Sequence, residues 1–152
     1  MTPVIAQTVV RALLLLALAG AAPAGAQQSE RFDRFELHYS VVNSTFITPE
    51  IASEYGITRG DDRAFINVAV REHRDDGTAQ TVAVELQGES WDLSGRRDRF
   101  DFIEIREGTA VYYIGEFKFL NREWRHFEVR FTAEGEAPQN FRFKRQMYRE
   151  QR

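Results

Sequence analysis

The stretch Phe35-Glu36-Leu37-His38-Tyr39-Ser40-Val41 sets four apolar residues against three polar ones in strict alternation. Successive side chains of an extended chain point to opposite faces, so this period of two describes a strand with one buried and one solvated face. The pattern returns in Ala64, Ile66, Val68 and Val70. It resumes in Val82, Val84 and Leu86 after the turn-forming Asp75-Asp76-Gly77-Thr78. That arrangement predicts a hairpin whose turn uses the positive φ open to Gly77. A second hairpin is predicted from Phe100 to Arg106 and Thr109 to Phe119 about the turn Glu107-Gly108. Phe127, Val129 and Phe131, then Phe141 and Phe143, supply the last alternating runs. About seven strands with no intervening crossover helices predict an all-β fold, an antiparallel two-sheet β-sandwich of immunoglobulin-like type. A closed barrel is the alternative.

One short helix is predicted at Pro49-Tyr55. Thr48 suits the N-cap, Pro49 the first helical position and Gly56 the left-handed C-terminal position. Ile51 and Tyr55, four apart, give it a single apolar face. About two turns do not persist alone, so the helix is expected to cover a sheet edge or an end of the sandwich.

Outside these elements the N-terminus carries the clearest signal. Arg11 is the one charge before an Ala/Leu/Gly run from Ala12 to Ala22, followed by Pro23 and Ala24-Gly25-Ala26. These are the parts of a secretory signal peptide with cleavage after Ala26. The run is too short for the ~20 residues that cross a bilayer. The expected organisation is a signal peptide at residues 1–26 and one β-sandwich domain at 27–152, with no membrane span after cleavage. The 152 residues contain no Cys, which excludes disulfide frameworks, thiolate metal sites, a cysteine nucleophile and a lipidated Cys. An exported chain without Cys fits a bacterial periplasm. With 12 Phe residues, the core is expected to be held by packing. The formal net charge of -3 gives no reason to expect nucleic acid as a partner.

Candidate chemistry is sparse. His38, His73 and His126 fall on different strands or strand ends without metal-binding spacing, and His38 and His126 lie at outward positions, so no metal is expected. Asp61-Asp62 and Asp75-Asp76 lack the spacing of a calcium loop and read as turns. Gly88-Glu89-Ser90 and Ser94-Gly95 also read as turns, with no nucleophile elbow. Glu104, Glu107 and Glu116 near a hairpin read as solvated acids, and no catalytic residues and no cofactor are expected. Arg96-Arg97-Asp98-Arg99 with Arg142, Lys144 and Arg145 forms local positive charge suited to steering anions or to discouraging edge pairing. Trp91, Tyr112, Tyr113 and Trp124 are candidates for an aromatic platform, although Tyr112 and Tyr113 must face opposite ways.

The stretch Asn43-Ser44-Thr45-Phe46-Ile47-Thr48-Pro49-Glu50-Ile51-Ala52 with Tyr55-Gly56-Ile57, then Ile66-Asn67-Val68-Ala69-Val70, then Glu104-Ile105-Arg106-Glu107-Gly108 with Ala110-Val111-Tyr112-Tyr113, resembles the bacterial domain-of-unknown-function 4426 family. The resemblance runs from about Phe35 to Tyr148. It implies an exported β-sandwich without an established activity, and it carries over no catalytic residue. The functional expectation is therefore a periplasmic, non-catalytic binding or adaptor domain for a protein or cell-envelope component. Its distinctive surface is the segment 43–59, with Asn43, Thr45, Phe46, Tyr55 and Arg59 as binding residues. The same segment could instead plug the open end of the core. A small-ligand carrier is the alternative, and a cell-wall hydrolase a further one.

Overall fold

The computed structural model describes residues 28–150. Among the described residues ten strands form two antiparallel sheets. The first contains β1 (Gln28–Phe32), β2 (Phe35–Asn43), β3 (Arg63–His73), β8 (Ala110–Lys118) and β7 (Ile103–Glu107) in that order, with β4 (Ala79–Thr81) also on β3. The second has the order β10 (Gln139–Gln146), β9 (Trp124–Ala133), β5 (Val84–Asp92), β6 (Arg97–Arg99). This is the expected β-sandwich rather than a barrel.

The inner faces follow the alternation. Leu37, Tyr39 and Val41 of β2, Ile66, Val68 and Val70 of β3, and Val111, Tyr113 and Phe117 of β8 meet Phe127, Val129 and Phe131 of β9. The Phe127 ring stacks on Phe143 at 4.6 Å between centroids and meets Phe117 edge-on at 5.3 Å. Aromatic pairs in such geometries add about 0.5–1.5 kcal/mol beyond the area they bury.

Three strands exceed the expected seven, each for a local reason. β1 has the mostly polar sequence Gln-Ser-Glu-Arg-Phe and is fixed by its ladder to β2. β4 and β6 span three residues each, too few to show a period. The expected β3 hairpin also ends early. β4 pairs with Arg71–His73, but at Val84 the chain enters the other sheet and pairs with β9. The Tyr113 hydroxyl bridges this crossing, accepting from Val84 N at 2.9 Å and lying 3.1 Å from Val84 O.

Gly88 is mid-strand in β5, not in a turn. It faces inward opposite Gly115 of β8, and the chain returns between the sheets through Phe100. A Cβ on Gly88 would lie 2.9 Å from Phe100 Cδ2, and one on Gly115 would lie 2.8 Å from Phe100 Cβ. The two glycines make room for the returning aromatic.

Helix α1 (Pro49–Tyr55) follows one 3-10 turn (Ser44–Phe46) and has the expected ends. Thr48 Oγ1 accepts from Ile51 N, and Gly56 has φ +69°. It lies on the outer face of the first sheet, over β3, β8 and the edge strand β7, rather than at an end of the sandwich. Ile47, Ile51, Ala52 and Ile57 pack there against Phe65, Ile105 and Ile114 as a second apolar cluster. β3 is thus covered on both faces, and Ala64–Val70 is buried without interruption.

Candidate functional site

At one end of the sandwich β2, β5, β8 and β10 stop and β9 begins. The shared end follows from the pairing of Asn43 with Ala64, Arg63 with Lys118, Asp92 with Arg125 and Gln146 with Trp124. Asn43 lies here and donates from Nδ2 to Tyr148 O at 2.7 Å. Arg59 donates from Nη2 to Thr45 O at 3.3 Å. The Ser44 hydroxyl, buried between them in sequence, closes the loop by accepting from Gly60 N at 2.9 Å and donating to Gly60 O at 3.0 Å. Phe46 is 61% exposed. Four of the five candidate residues, Asn43, Thr45, Phe46 and Arg59, therefore gather near this end.

Tyr55 does not join them. Its hydroxyl donates to the Glu107 carboxylate at the β7–β8 turn, the opposite end of the first sheet. Seven residues of α1 carry it there, since each residue advances a helix by about 1.5 Å.

The same end exposes Trp124, a candidate for the aromatic platform, and three residues that the sequence did not single out, Leu93, Leu120 and Tyr148. Leu93, Leu120, Trp124 and Tyr148 are between 41% and 76% exposed, and with Phe46 they make up five of the six exposed large hydrophobic residues among the described residues. Leu93 and Leu120 lie in turns where a polar residue would serve, and that was the available signal.

Beneath this surface sits Arg125, fully buried on the inner face of β9. Its Nε donates to Ser90 Oγ at 2.9 Å, its Nη1 to Glu123 Oε1 at 2.9 Å, and its Nη2 pairs with Asp98. Arg96 joins through Glu123 at 3.8 Å and also pairs with Asp92 at 3.1 Å. The Asp92 carboxyl is held below its usual range by the Ser94 hydroxyl first, then by backbone N–H groups and Arg96.

Two histidines expected to stand apart share one carboxylate. On the outer face of the first sheet, His73 Nε2 is 2.8 Å and His38 Nε2 3.4 Å from Glu36 Oε2. His38 points outward as expected, yet its side chain is only 18% exposed. Hydrogen bonds from Ser29 and His73, aided by the charge of His38, lower the Glu36 pKa from 4.5 to about 2. A depressed carboxyl stabilises the fold above its unfolded pKa and loses that contribution as pH falls through the folded value. Stability is therefore expected to fall by about 1–2 kcal/mol between pH 4.5 and 2, allowing for partial solvent screening. Glu36→Gln should flatten that limb of an acid-unfolding curve followed by circular dichroism, and an unchanged slope would contradict the assignment. Among the described residues no group of three or more His, Asp or Glu side chains forms a metal-binding set.

The other candidates are dispersed. Tyr113 is buried, Tyr112 lies against the outer cluster, and only Trp91 and Trp124 share the outer face of the second sheet. Trp91 stacks on His126 at 5.5 Å under the Arg97 guanidinium, and Lys144 lies 5.5 Å from the Trp124 ring. Glu104 pairs with Arg106 at 2.6 Å, and Glu116 accepts from Thr58 N at 2.7 Å. With Glu107 bonded to Tyr55, these three carboxylates each hold up local structure and do not converge.

A model of the family described as domain of unknown function (DUF4426) matches residues 29–150. The crystal structure of a DUF4426 family protein from Pseudomonas aeruginosa PAO1 is similar at 30% identity and TM-score 0.72, covering 82% of this chain and 97% of that one. FetP of uropathogenic Escherichia coli strain F11 is similar in fold at 8% identity and TM-score 0.62, covering 87% and 100%. A copper-bound variant of that FetP gives 6% identity and TM-score 0.56, covering 83% and 92%. No curated protein matches the chain.

Proposed function

The chain belongs to the DUF4426 family, and from that premise we propose that it is a non-catalytic binding domain that engages a protein or envelope component in the periplasm. The observation that carries this reading is the exposed apolar end formed by Phe46, Leu93, Leu120, Trp124 and Tyr148. Single exposed apolar residues are ordinary, whereas a group at one end of a small domain marks an interaction surface. The loops bearing it are fixed rather than loose. Besides the Asn43 bond, Arg149 N donates to Asn121 Oδ1 at 2.9 Å and Met147 N to Glu123 O at 2.8 Å. A surface held in advance of binding avoids part of the ordering entropy of association.

The periplasmic address rests on the leader read at residues 1–26, which lie outside the described residues. Among the described residues no helix is long and apolar enough to cross a membrane. N-terminal sequencing of the protein recovered from a periplasmic extract is expected to begin at Gln27. Affinity capture from the same extract tests the surface: a Phe46→Asp, Trp124→Ala variant should lose what the native protein retains, while Tyr55→Ala should retain it. Equal recovery by all three would remove the end surface from the proposal.

Small-ligand carriage is the second reading, favoured by the fold shared with a FetP variant solved with copper. That likeness reaches the fold and not the metal. Glu36, His38 and His73 are engaged with one another and, among the described residues, form no metal-binding group.

A further inference from the structure

We propose that the exposed apolar end docks on the surface of an anionic phospholipid bilayer, an inference that rests on the binding surface above and names its occupant. The charge of this end differs from that of the whole molecule. Lys118, Arg122, Lys144 and Arg149 lie on the loops and strand ends that carry Leu120, Trp124 and Tyr148, in a chain of net charge -3. The acids interleaved with them are largely occupied: Asp92 faces Arg96, and Glu123 faces Arg125 and Arg96. Glu50, Asp61 and Glu150 are the exposed acids nearby, with Glu50 near Arg59.

Leucine and phenylalanine at loop tips supply apolar volume for the acyl boundary, tryptophan and tyrosine favour the headgroup level, and arginine and lysine are drawn to anionic headgroups. All three classes are present on one end, in that mixture.

One further feature favours a bilayer. Arg122 occupies the tip of the β8–β9 turn with φ +62°, a left-handed conformation that glycine or asparagine adopts more easily. Strain of this kind is tolerated where a side chain is used, and here the side chain is an exposed cation. Gln146 Nε2 donates to Arg122 O at 3.2 Å and fixes the tip in place.

The test uses the mature chain carrying Trp91→Phe, so that Trp124 is the remaining tryptophan, with vesicles of phosphatidylglycerol and phosphatidylethanolamine or of phosphatidylcholine alone. Co-sedimentation with the anionic vesicles and a blue shift of Trp124 emission are expected, with binding to phosphatidylcholine weaker by about 10-fold or more. Arg122→Glu with Lys144→Glu should weaken anionic binding by about 30-fold at low salt, and Leu93→Asp with Leu120→Asp by at least about 10-fold. Circular dichroism establishes that each variant is folded. Failure to sediment with anionic vesicles, or binding unaffected by both double variants, overturns the inference. If the extract yields a protein held by the same end while vesicles do not bind, the lipid assignment falls and the binding-domain reading stands. Loss of both overturns both.

Discussion

Arg125→Ala is expected to lower stability by about 3–5 kcal/mol, the loss associated with removing one partner of a buried charged pair. The guanidinium satisfies Ser90 Oγ, which is fully buried, and the Glu123 carboxylate, which is one-tenth exposed. Its carbon also lies 5.3 Å from the Phe117 ring centroid. Alanine leaves the hydroxyl without its partner and Glu123 facing only Arg96 at 3.8 Å, while opening a void under the second sheet. Arg125→Lys keeps the charge but cannot reach three acceptors at once, so an intermediate loss is expected. Urea unfolding followed by tryptophan fluorescence measures both. A loss for the alanine variant under about 1 kcal/mol, well below the usual range for a buried charge, would mean that water already screens the network.

Gly115→Val is the second large effect, at about 2–3 kcal/mol of destabilisation from overpacking. The added atoms meet Phe100 at its Cβ and Cγ, 2.8 and 3.0 Å from the new Cβ, and not at the movable edge of the ring. Phe100 cannot retreat, because the equivalent position on the facing strand, Gly88, is also in contact with it. Shortening the intruder should recover part of the loss. Gly115→Val combined with Phe100→Leu is expected to be less destabilised than the sum of the two single changes, with coupling of about 1 kcal/mol for residues in direct contact. Strict additivity in thermal or urea unfolding would contradict the wedge.

Much of the sandwich was legible because its long strands bury one face each, and a period of two reports that directly. The phase of Phe127, Val129 and Phe131, carried back two residues, also places Arg125 inward, so the buried cation was readable in principle. Pairing across the chain was not. Nothing local distinguishes a strand that continues its hairpin from one that leaves for the other sheet at Val84, because the decision is made by the ladder to β9 and the Tyr113 hydroxyl. The helix position was half legible: Phe65 and Ala69 on the outward phase of β3 already required a cover. In the candidate site, Asn43, Thr45, Phe46 and Arg59 assemble because the loop closes on itself through Ser44 and Gly60. Tyr55 is carried away by the helix between them. Glu36 and His38, two apart, share a face by necessity, whereas His73 reaches them only through strand pairing.

Each sheet draws on both halves of the polypeptide: β3 ladders with β8, and β5 with β9. Neither half can complete a layer by itself, so the molecule is interlocked in the manner of clasped fingers. Splitting the chain within the β6–β7 connection strips both layers of strands together, which leaves this architecture without a smaller autonomous fragment and makes its melting an all-or-none event.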